Sequence, residues 1–240
     1  MVIIFDFGKK MTPEKFSEEL HRLWGDDLRS IVLFGSAAAG DFVEKVSDYN
    51  LLVVIRQHDP SVLKKAGPLF QLWNKQGNPL PLVFTPQEIL KSTDVFPVEF
   101  LDIKDHHRTL RGEDPIGSLN IDTRNLRHEL EHELKGKWLK LRQSHLVSEE
   151  DPEALCELMG KSVSVFSVLL RHTLRLFGEE PPLPKEEAIA RLAQKVPFDP
   201  QALGDVLSLK STGKPPRPPA EMWARYMDAL KAIIDAVDNL

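Results

Sequence analysis

Two kinds of hydrophobic spacing divide the chain. Up to about residue 112, short apolar runs alternate with amphipathic segments, a pattern typical of a sheet covered by helices. These runs predict strands at 30–35, 51–56, 80–85 and 108–111. Beyond residue 112, apolar residues recur every three to four positions, which is the period of a helix. The spacing therefore predicts an α+β domain over residues 1–112, followed by an all-α helical bundle over residues 113–240.

Capping signals indicate where several helices begin. Thr12 and Asp151 each precede a proline at the first helical position, and Thr85-Pro86-Gln87-Glu88 has the pattern of a capping box. Gly67-Pro68 predicts an interruption or bend in a helix over residues 60–76. The proline-rich stretch 211–219 predicts a mobile surface loop. Further helices are expected at about 126–141, 152–177, 185–194 and 220–237.

Composition narrows the classes of function. The chain of 240 residues carries 31 basic and 36 acidic side chains, so it does not bind nucleic acid by bulk charge. Its only cysteine, Cys156, cannot form an internal disulfide, and no apolar run approaches the ~20 residues needed to cross a bilayer. The first residues, with Asp6 among them, are too short and too acidic for a signal peptide. We therefore expect a cytoplasmic protein without a membrane partner.

One stretch suggests chemistry at the end of the first predicted strand. Gly35 and Ser36 stand where a helix can begin, so backbone N–H groups and a hydroxyl meet at a spot suited to a phosphate. Asp48 and Asn50 stand two residues apart at the entry to the next strand, so their side chains face the same side. Oxygen ligands opposite a phosphate cradle predict a Mg²⁺-assisted phosphoryl site. Taken alone, Asp-x-Asn also fits an ordinary turn.

This stretch resembles the signature of the nucleotidyltransferase superfamily, which includes DNA polymerase beta and the aminoglycoside nucleotidyltransferases. The signature consists of an apolar residue, Gly-Ser, a spacer, Asp-x-Asp and an apolar strand. The chain matches it at Phe34, Gly35, Ser36, Gly40, Ser47, Asp48, Leu51, Leu52 and Val53. The resemblance implies a mixed sheet with flanking helices, followed by a helical domain like that of the aminoglycoside enzymes.

The resemblance also implies an activity and a set of site residues. Such enzymes transfer a nucleoside monophosphate from a nucleoside triphosphate to a hydroxyl acceptor, with Mg²⁺ held by three carboxylates. In this chain Gly35 and Ser36 match the nucleotide-binding positions, and Asp48 matches the first carboxylate, which binds both nucleotide and metal. Asn50 stands at the second carboxylate position, and Pro81 or a direct neighbour stands at the third.

These departures leave two interpretations open. An amide oxygen ligates Mg²⁺ but supplies no charge, and proline has no side-chain ligand. The chain is therefore either an active transferase, whose acceptor is a small molecule or a protein, or an inactive nucleotide-binding sensor or partner-binding module. A carboxylate from elsewhere would favour the first interpretation, and the candidates are Asp41, Glu44, Glu88, Glu99 and Asp102.

Two unrelated signatures overlap in the helical half. His128, Glu129 and His132 form the His-Glu-x-x-His motif of zinc proteases, but no third ligand follows at the expected spacing, which favours a charged helix face. Arg127 and His132 resemble the Arg-x4-His motif of HEPN-class RNases. This second resemblance gives a further alternative, RNase activity in the helical half.

A last hypothesis concerns the basic side chains at the start of the helical half. By analogy with the aminoglycoside enzymes, whose helical tail helps to complete the acceptor site, a cleft for the acceptor or a partner would be lined by basic residues. The residues assigned to it are Arg124, Arg127, His128 and Lys135.

Overall fold

The computed structural model describes residues 11–39, 48–148, 151–180 and 184–240. Asp41 and Glu44, two of the candidate carboxylates, lie outside the described residues, as do Gly40 and Ser47 of the signature. The chain divides into two compact units. Their bounds are Met1–Thr93 with Asp102–Ile121 for the first and Asp94–Leu101 with Asp122–Leu240 for the second.

The first unit is built on a mixed sheet. Its strands in the described part of the chain are β1 (Leu28–Phe34), β2 (Asn50–Ile55), β3 (Leu82–Phe84) and β4 (His107–Gly112). β1 pairs antiparallel with both β2 and β4, while β3 runs parallel to β2, giving the order β3-β2-β1-β4. Each strand overlaps a segment predicted from the apolar runs. The α+β prediction with a mixed sheet is confirmed.

Helices of the first unit cover one face of this sheet. They are α1 (Pro13–Trp24), α2 (Ser36–Ala39) and α3 (Pro60–Lys75). The helices α4 (Pro86–Ser92) and α5 (Pro97–Asp105) follow β3 in the chain, and α5 begins in the second unit. Strand side chains alternate between faces, so the odd-numbered apolar residues of β1 and β2 pack against α1 and α3. This core includes Phe16, Leu20, Ile31, Leu33, Leu51, Val53, Ile55, Leu69 and Trp73, all buried.

Two local predictions have different outcomes. The capping box of α4 is present, because Thr85 Oγ1 accepts the N–H of Glu88 and the Glu88 carboxylate accepts the N–H of Thr85. By contrast, α3 runs unbroken through Pro68, so the interruption predicted there does not occur. Pro68 has no N–H to donate to the carbonyl of Lys64, four residues earlier. Both residues are exposed, so this side of the helix is open to solvent.

The second unit is a helical bundle. Its helices in the described residues are α6 (Leu126–Leu146), α7 (Pro152–Leu176), α8 (Lys185–Ala193), α9 (Pro200–Thr212) and α10 (Pro219–Asp238). The long helix α7 packs against each of the other four. No helix within the described ranges combines the length and the apolar character that a membrane span requires.

The loop between α9 and α10, predicted to be mobile, is tied to the bundle. Arg217 in this loop donates to the buried carboxylate of Asp205 at 2.8 Å, and Arg225 of α10 donates to the same oxygen at 3.1 Å. A buried carboxylate needs such partners, because the hydration that it loses on burial would otherwise lower the stability of the fold by several kcal/mol. The pairing therefore holds the proline-rich segment against α9.

The start of α5 is held by a side chain of α6. Glu129 Oε2 accepts the N–H of Val98 at 3.2 Å. Burial, together with the nearby carboxylates of Glu99 and Glu133, raises the pKa of Glu129 to about 8, although the Val98 N–H acts in the opposite direction. Glu133 is itself paired with Lys137 at 2.6 Å. Glu129 therefore keeps its proton to a higher pH than an exposed glutamate does, and its side chain is hydrogen-bonded to that of Glu99.

We expect Glu129→Gln to reduce the pH dependence of stability. Unfolded glutamate ionises near its ordinary pKa of ~4.3, whereas folded Glu129 keeps its proton until about pH 8. Its stabilising contribution is complete below the lower value and is lost as the pH rises to the upper one. Glutamine keeps the contacts with Val98 and Glu99 without ionising, so urea unfolding should show a smaller loss of stability across this window. Glu131→Gln on the same helix is the control, and equal flattening in both variants would contradict the assignment.

Candidate active site

The pairing of β1 with β2 brings the two parts of the signature together. Phe34 is opposite Asn50 in this ladder, so Gly35 follows directly beside the start of β2. Gly35 has φ of +74°, and a Cβ added there would lie 3.4 Å from Asn50 Nδ2. The Gly35 N–H also donates to the carbonyl of His106 at 3.1 Å. Glycine is needed at this turn because a side chain would strain the backbone and crowd Asn50.

Ser36 opens the short helix α2 directly after this turn. The N–H groups of Ala38 and Ala39 both donate to the carbonyl of Gly35 at 2.9 Å. The first N–H groups of a helix have no acceptor within the helix itself, so those of Ser36 and Ala37 are donors suited to an anion. The sequence interpretation of a phosphate cradle therefore has the donor types that it needs.

Asn50, the first residue of β2, lies on the face of the sheet opposite to Tyr49. The Tyr49 ring packs into the helix-covered core, with its centroid 6.1 Å from that of Trp73. Asp48 precedes β2, and the alternation of side chains in extended backbone predicts that it points to the side of Asn50. Asp48 is exposed and Asn50 is half-buried. This arrangement offers a carboxylate and an amide oxygen next to the Gly-Ser turn.

The parallel register identifies the residues at the third carboxylate position. Leu82 pairs with Leu52, so the two side chains share the face of Asn50. Leu80 precedes β3 by two residues, and an extension of the same register would bring it level with Asn50. Leu80 and Leu82 are 58% and 41% exposed, while Pro81 is buried on the other face. Leu82 therefore shares the face of Asn50, and the assignment of the third carboxylate position to Pro81 or a direct neighbour stays a prediction.

The described candidates for a substitute carboxylate have other contacts. Glu88 is held in the α4 capping box and lies 2.8 Å from His58 Nε2. Glu99 contacts Glu129 within the second unit, and Asp102 belongs to α5. Among the described residues, no three His, Cys, Asp or Glu side chains form a group that could hold a metal ion. A single Mg²⁺ still fits the donors present, because this ion commonly takes one or two protein oxygens and completes its shell with water and phosphate.

His107 on β4 is a residue of this face that the sequence analysis did not single out. It pairs with Phe34, so it shares the face of Asn50 two strands away. Its Nδ1 lies 3.1 Å from the carbonyl of Lys104 and its Nε2 lies 3.2 Å from both carboxylate oxygens of Asp114. The ring of His107 is thus held between the end of α5 and Asp114. Burial acts to raise the pKa of Asp114, but hydrogen bonds from backbone N–H groups and from His107 outweigh it and lower that pKa.

Two of the basic residues assigned to an acceptor cleft join helices within the second unit. Arg127 donates to Glu131 at 3.0 Å and to the carbonyl of Val237 at 3.3 Å. Lys135 pairs with Glu131 at 2.7 Å and with Asp238 at 3.0 Å. These contacts attach α6 to the end of α10. A role in binding an acceptor stays a prediction for both residues.

The other motif residues of this segment lie on exposed surface. Arg124 forms an ion pair with Asp122 and thereby lowers the pKa of that carboxyl to about 2. His128 Nδ1 lies 2.9 Å from a guanidinium nitrogen of Arg127, and His132 is exposed. RNase chemistry by Arg127 and His132, and acceptor contacts by Arg124 and His128, stay predictions.

Comparison with known proteins bears on the first unit most directly. The sequence model of the family described as "Nucleotidyltransferase domain" matches residues 13–145. Among solved structures, the chain is similar to the spectinomycin adenyltransferase AAD(9) from Enterococcus faecialis, determined with ATP and spectinomycin. The TM-score is 0.54 at 14% identity, and the match covers 93% of this chain and 96% of that chain. No curated protein matches the sequence. At this identity, the structural likeness shows a shared fold.

We expect Gly35→Ala to lower the free energy of unfolding by about 1 kcal/mol or more, because alanine resists a positive φ. Gly136→Ala is the matched control, since it lies within α6 and an added Cβ there meets nothing within 4 Å. The control should raise stability by about 0.5–1 kcal/mol through the higher helix propensity of alanine. Urea unfolding of both variants measures the difference, and a stabilised Gly35→Ala protein would contradict the assigned turn.

Proposed function

The chain belongs to the nucleotidyltransferase domain family, and from this premise we propose that its first unit binds a nucleoside triphosphate together with one Mg²⁺ ion but has lost efficient nucleoside monophosphate transfer. The observation that carries the proposal is the strand register. It brings the Gly-Ser turn beside Asn50 and puts Leu82 on the face of Asn50, which supports a nucleotide site that lacks a third carboxylate.

Nucleotide binding is supported by the groups retained at the turn. Gly35 gives the backbone room to approach a phosphate, and Ser36 adds a hydroxyl donor. Asp48 and Asn50 would hold the Mg²⁺ ion, which when bound neutralises charge on the phosphates. In this proposal the backbone N–H donors of the Gly-Ser turn orient the triphosphate. The backbone around Tyr49 keeps the two metal ligands, Asp48 and Asn50, on the same side.

Loss of efficient transfer is supported by charge. The family arrangement places three carboxylates around two Mg²⁺ ions, so that both the attacking and the leaving oxygen are stabilised. Among the three corresponding positions, this chain has one carboxylate, Asp48. Leucine at positions 80 and 82 can neither ligate a second ion nor accept a proton from an acceptor hydroxyl. The pocket therefore suits a nucleotide-responsive binding module.

ATP is the first nucleotide to test, because the similar solved structure was determined with ATP. The acceptor of an active form would carry a hydroxyl group, and spectinomycin is the corresponding first compound. Both choices follow the two ligands present in that similar structure.

We expect Mg²⁺ with ATP to stabilise the wild type and not Asp48→Ala. Ligand at ~100 times its dissociation constant adds about 2.7 kcal/mol to the free energy of unfolding, which gives a clear rise in the thermal midpoint. Asp228→Ala removes an exposed aspartate of the helical unit and serves as the charge-matched control. Stabilisation that persists in Asp48→Ala, or is absent in the wild type with every nucleoside triphosphate, would argue against the proposed site.

We also expect a gain of activity when the missing carboxylates are restored. Asn50→Asp should strengthen Mg²⁺-dependent nucleotide binding, and Asn50→Asp with Leu80→Glu should release pyrophosphate from ATP faster than the wild type in the presence of hydroxyl acceptors. The exposed position of Leu80 accommodates glutamate without burying its charge. Leu90→Glu combined with Asn50→Asp is the control, because Leu90 is equally exposed but lies on α4. Wild-type release as fast as that of the restored variant would contradict the loss of transfer.

A further inference from the structure

A buried amide next to the candidate metal ligands is not part of the family signature. Asn78 lies between α3 and β3 and is 3% exposed. Its Oδ1 accepts the backbone N–H of Tyr49 at 3.1 Å. Tyr49 is the residue between Asp48 and Asn50, so this hydrogen bond holds the peptide group that joins Asp48 to Tyr49, one residue before Asn50. Because β3 runs parallel to β2, the segments that enter the two strands lie at the same edge of the sheet.

The backbone around Asn78 is itself held firmly. Asn74 Nδ2 donates to the carbonyl of Asn78 at 3.1 Å, and the indole N–H of Trp73 donates to the carbonyl of Pro79 at 2.9 Å. Gly77, with φ of +90°, makes the turn that leads out of α3. The end of α3 therefore supports Asn78, and Asn78 in turn supports Tyr49.

The second half of the Asn78 amide gives a reason to look beyond stability. Its Nδ2 is buried and makes no hydrogen bond within the part of the chain that the structure describes. A buried donor without a partner lowers stability, so the hydrogen bond to Tyr49 does not by itself explain this amide as a stabilising group. The cost is understandable where the position of the site backbone matters more than local stability.

We propose that Asn78 is a positioning residue for the metal–nucleotide site, which sets the directions of Asp48 and Asn50 through the backbone of Tyr49. The inference rests on the proposed function, since it concerns binding of Mg²⁺ and nucleotide at that site. Asn78 acts through the peptide group of Tyr49 and needs no contact with the ligand.

The test measures the affinity for Mn²⁺ with ATP by calorimetry, at a temperature where every variant is folded. Asn78→Leu removes the acceptor at similar volume and should weaken the affinity on the order of tenfold or more, as is typical when a group that orients metal ligands is lost. Asn78→Asp keeps an acceptor for Tyr49 and should restore most of the affinity. Unfolding of each variant is measured in parallel, so that stability and affinity are compared separately.

Ser30→Ala is the matched control for a lost buried hydrogen bond in the same sheet. Ser30 is 3% exposed, and its Oγ donates to the carbonyl of Glu113 at 2.6 Å. This variant should lose stability and keep the wild-type affinity. The inference is overturned if Asn78→Leu binds Mn²⁺ with ATP as tightly as the wild type does, or if Ser30→Ala loses as much affinity as Asn78→Leu. Either result leaves the proposed function in place. Absence of binding by the wild type overturns the proposed function and this inference with it.

Discussion

The candidate site depends above all on the register between β1 and β2. Apolar side chains on both faces of these strands are buried, so a slip by one residue would exchange the two sets and disrupt the packing on both faces. The same slip would turn Asp48 and Asn50 toward the helix-covered core and bring Tyr49 to the opposite face. The hydrophobic packing of the sheet thus holds the polar groups in position, although none of those groups contributes to the core. The positions of the polar groups therefore depend on the apolar core, whereas the chemistry of the site depends on the polar groups themselves.

That separation explains how a site can keep its geometry while its chemistry changes. Exchanging a carboxylate for the amide of Asn50 leaves the shape of the side chain nearly the same but removes a negative charge. Leucine at positions 80 and 82 has a larger effect, because it replaces ligand oxygens with hydrocarbon on the face that would receive a second ion. Neither change disturbs the packing of the odd-numbered residues beneath. A fold of this kind therefore tolerates the loss of catalytic groups without losing the phosphate-binding turn.

The sequence predicted the first unit well where local signals were strong. The four strands follow from apolar runs, and the start of α4 follows from its capping box. Helix α9 was missed although Asp199-Pro200 is a good start signal, because Gly204 and several serines weaken its helical pattern. The sequence could not identify the third carboxylate position, since only the pairing of Leu52 with Leu82 determines which neighbour of Pro81 shares the site face. His107 and Asn78 were likewise missed, because their roles depend on partners far away in the chain.

The helical half shows that spacing along one helix is not enough to predict the role of a residue. A motif defined by a few letters describes a spacing along one helix, whereas the function of its residues depends on what packs against that helix. Glu129 is the central residue of a zinc-protease motif by spacing, yet its carboxyl group accepts the N–H of Val98 in the first turn of α5 and is hydrogen-bonded to Glu99. Arg127 belongs to an RNase motif by spacing, yet it donates to Glu131 and to the end of α10. Packing contacts give both residues a structural role within the second unit, while RNase activity of the Arg127 motif stays a prediction. The match in the first unit is stronger evidence because its parts come from two strands that the fold independently brings together.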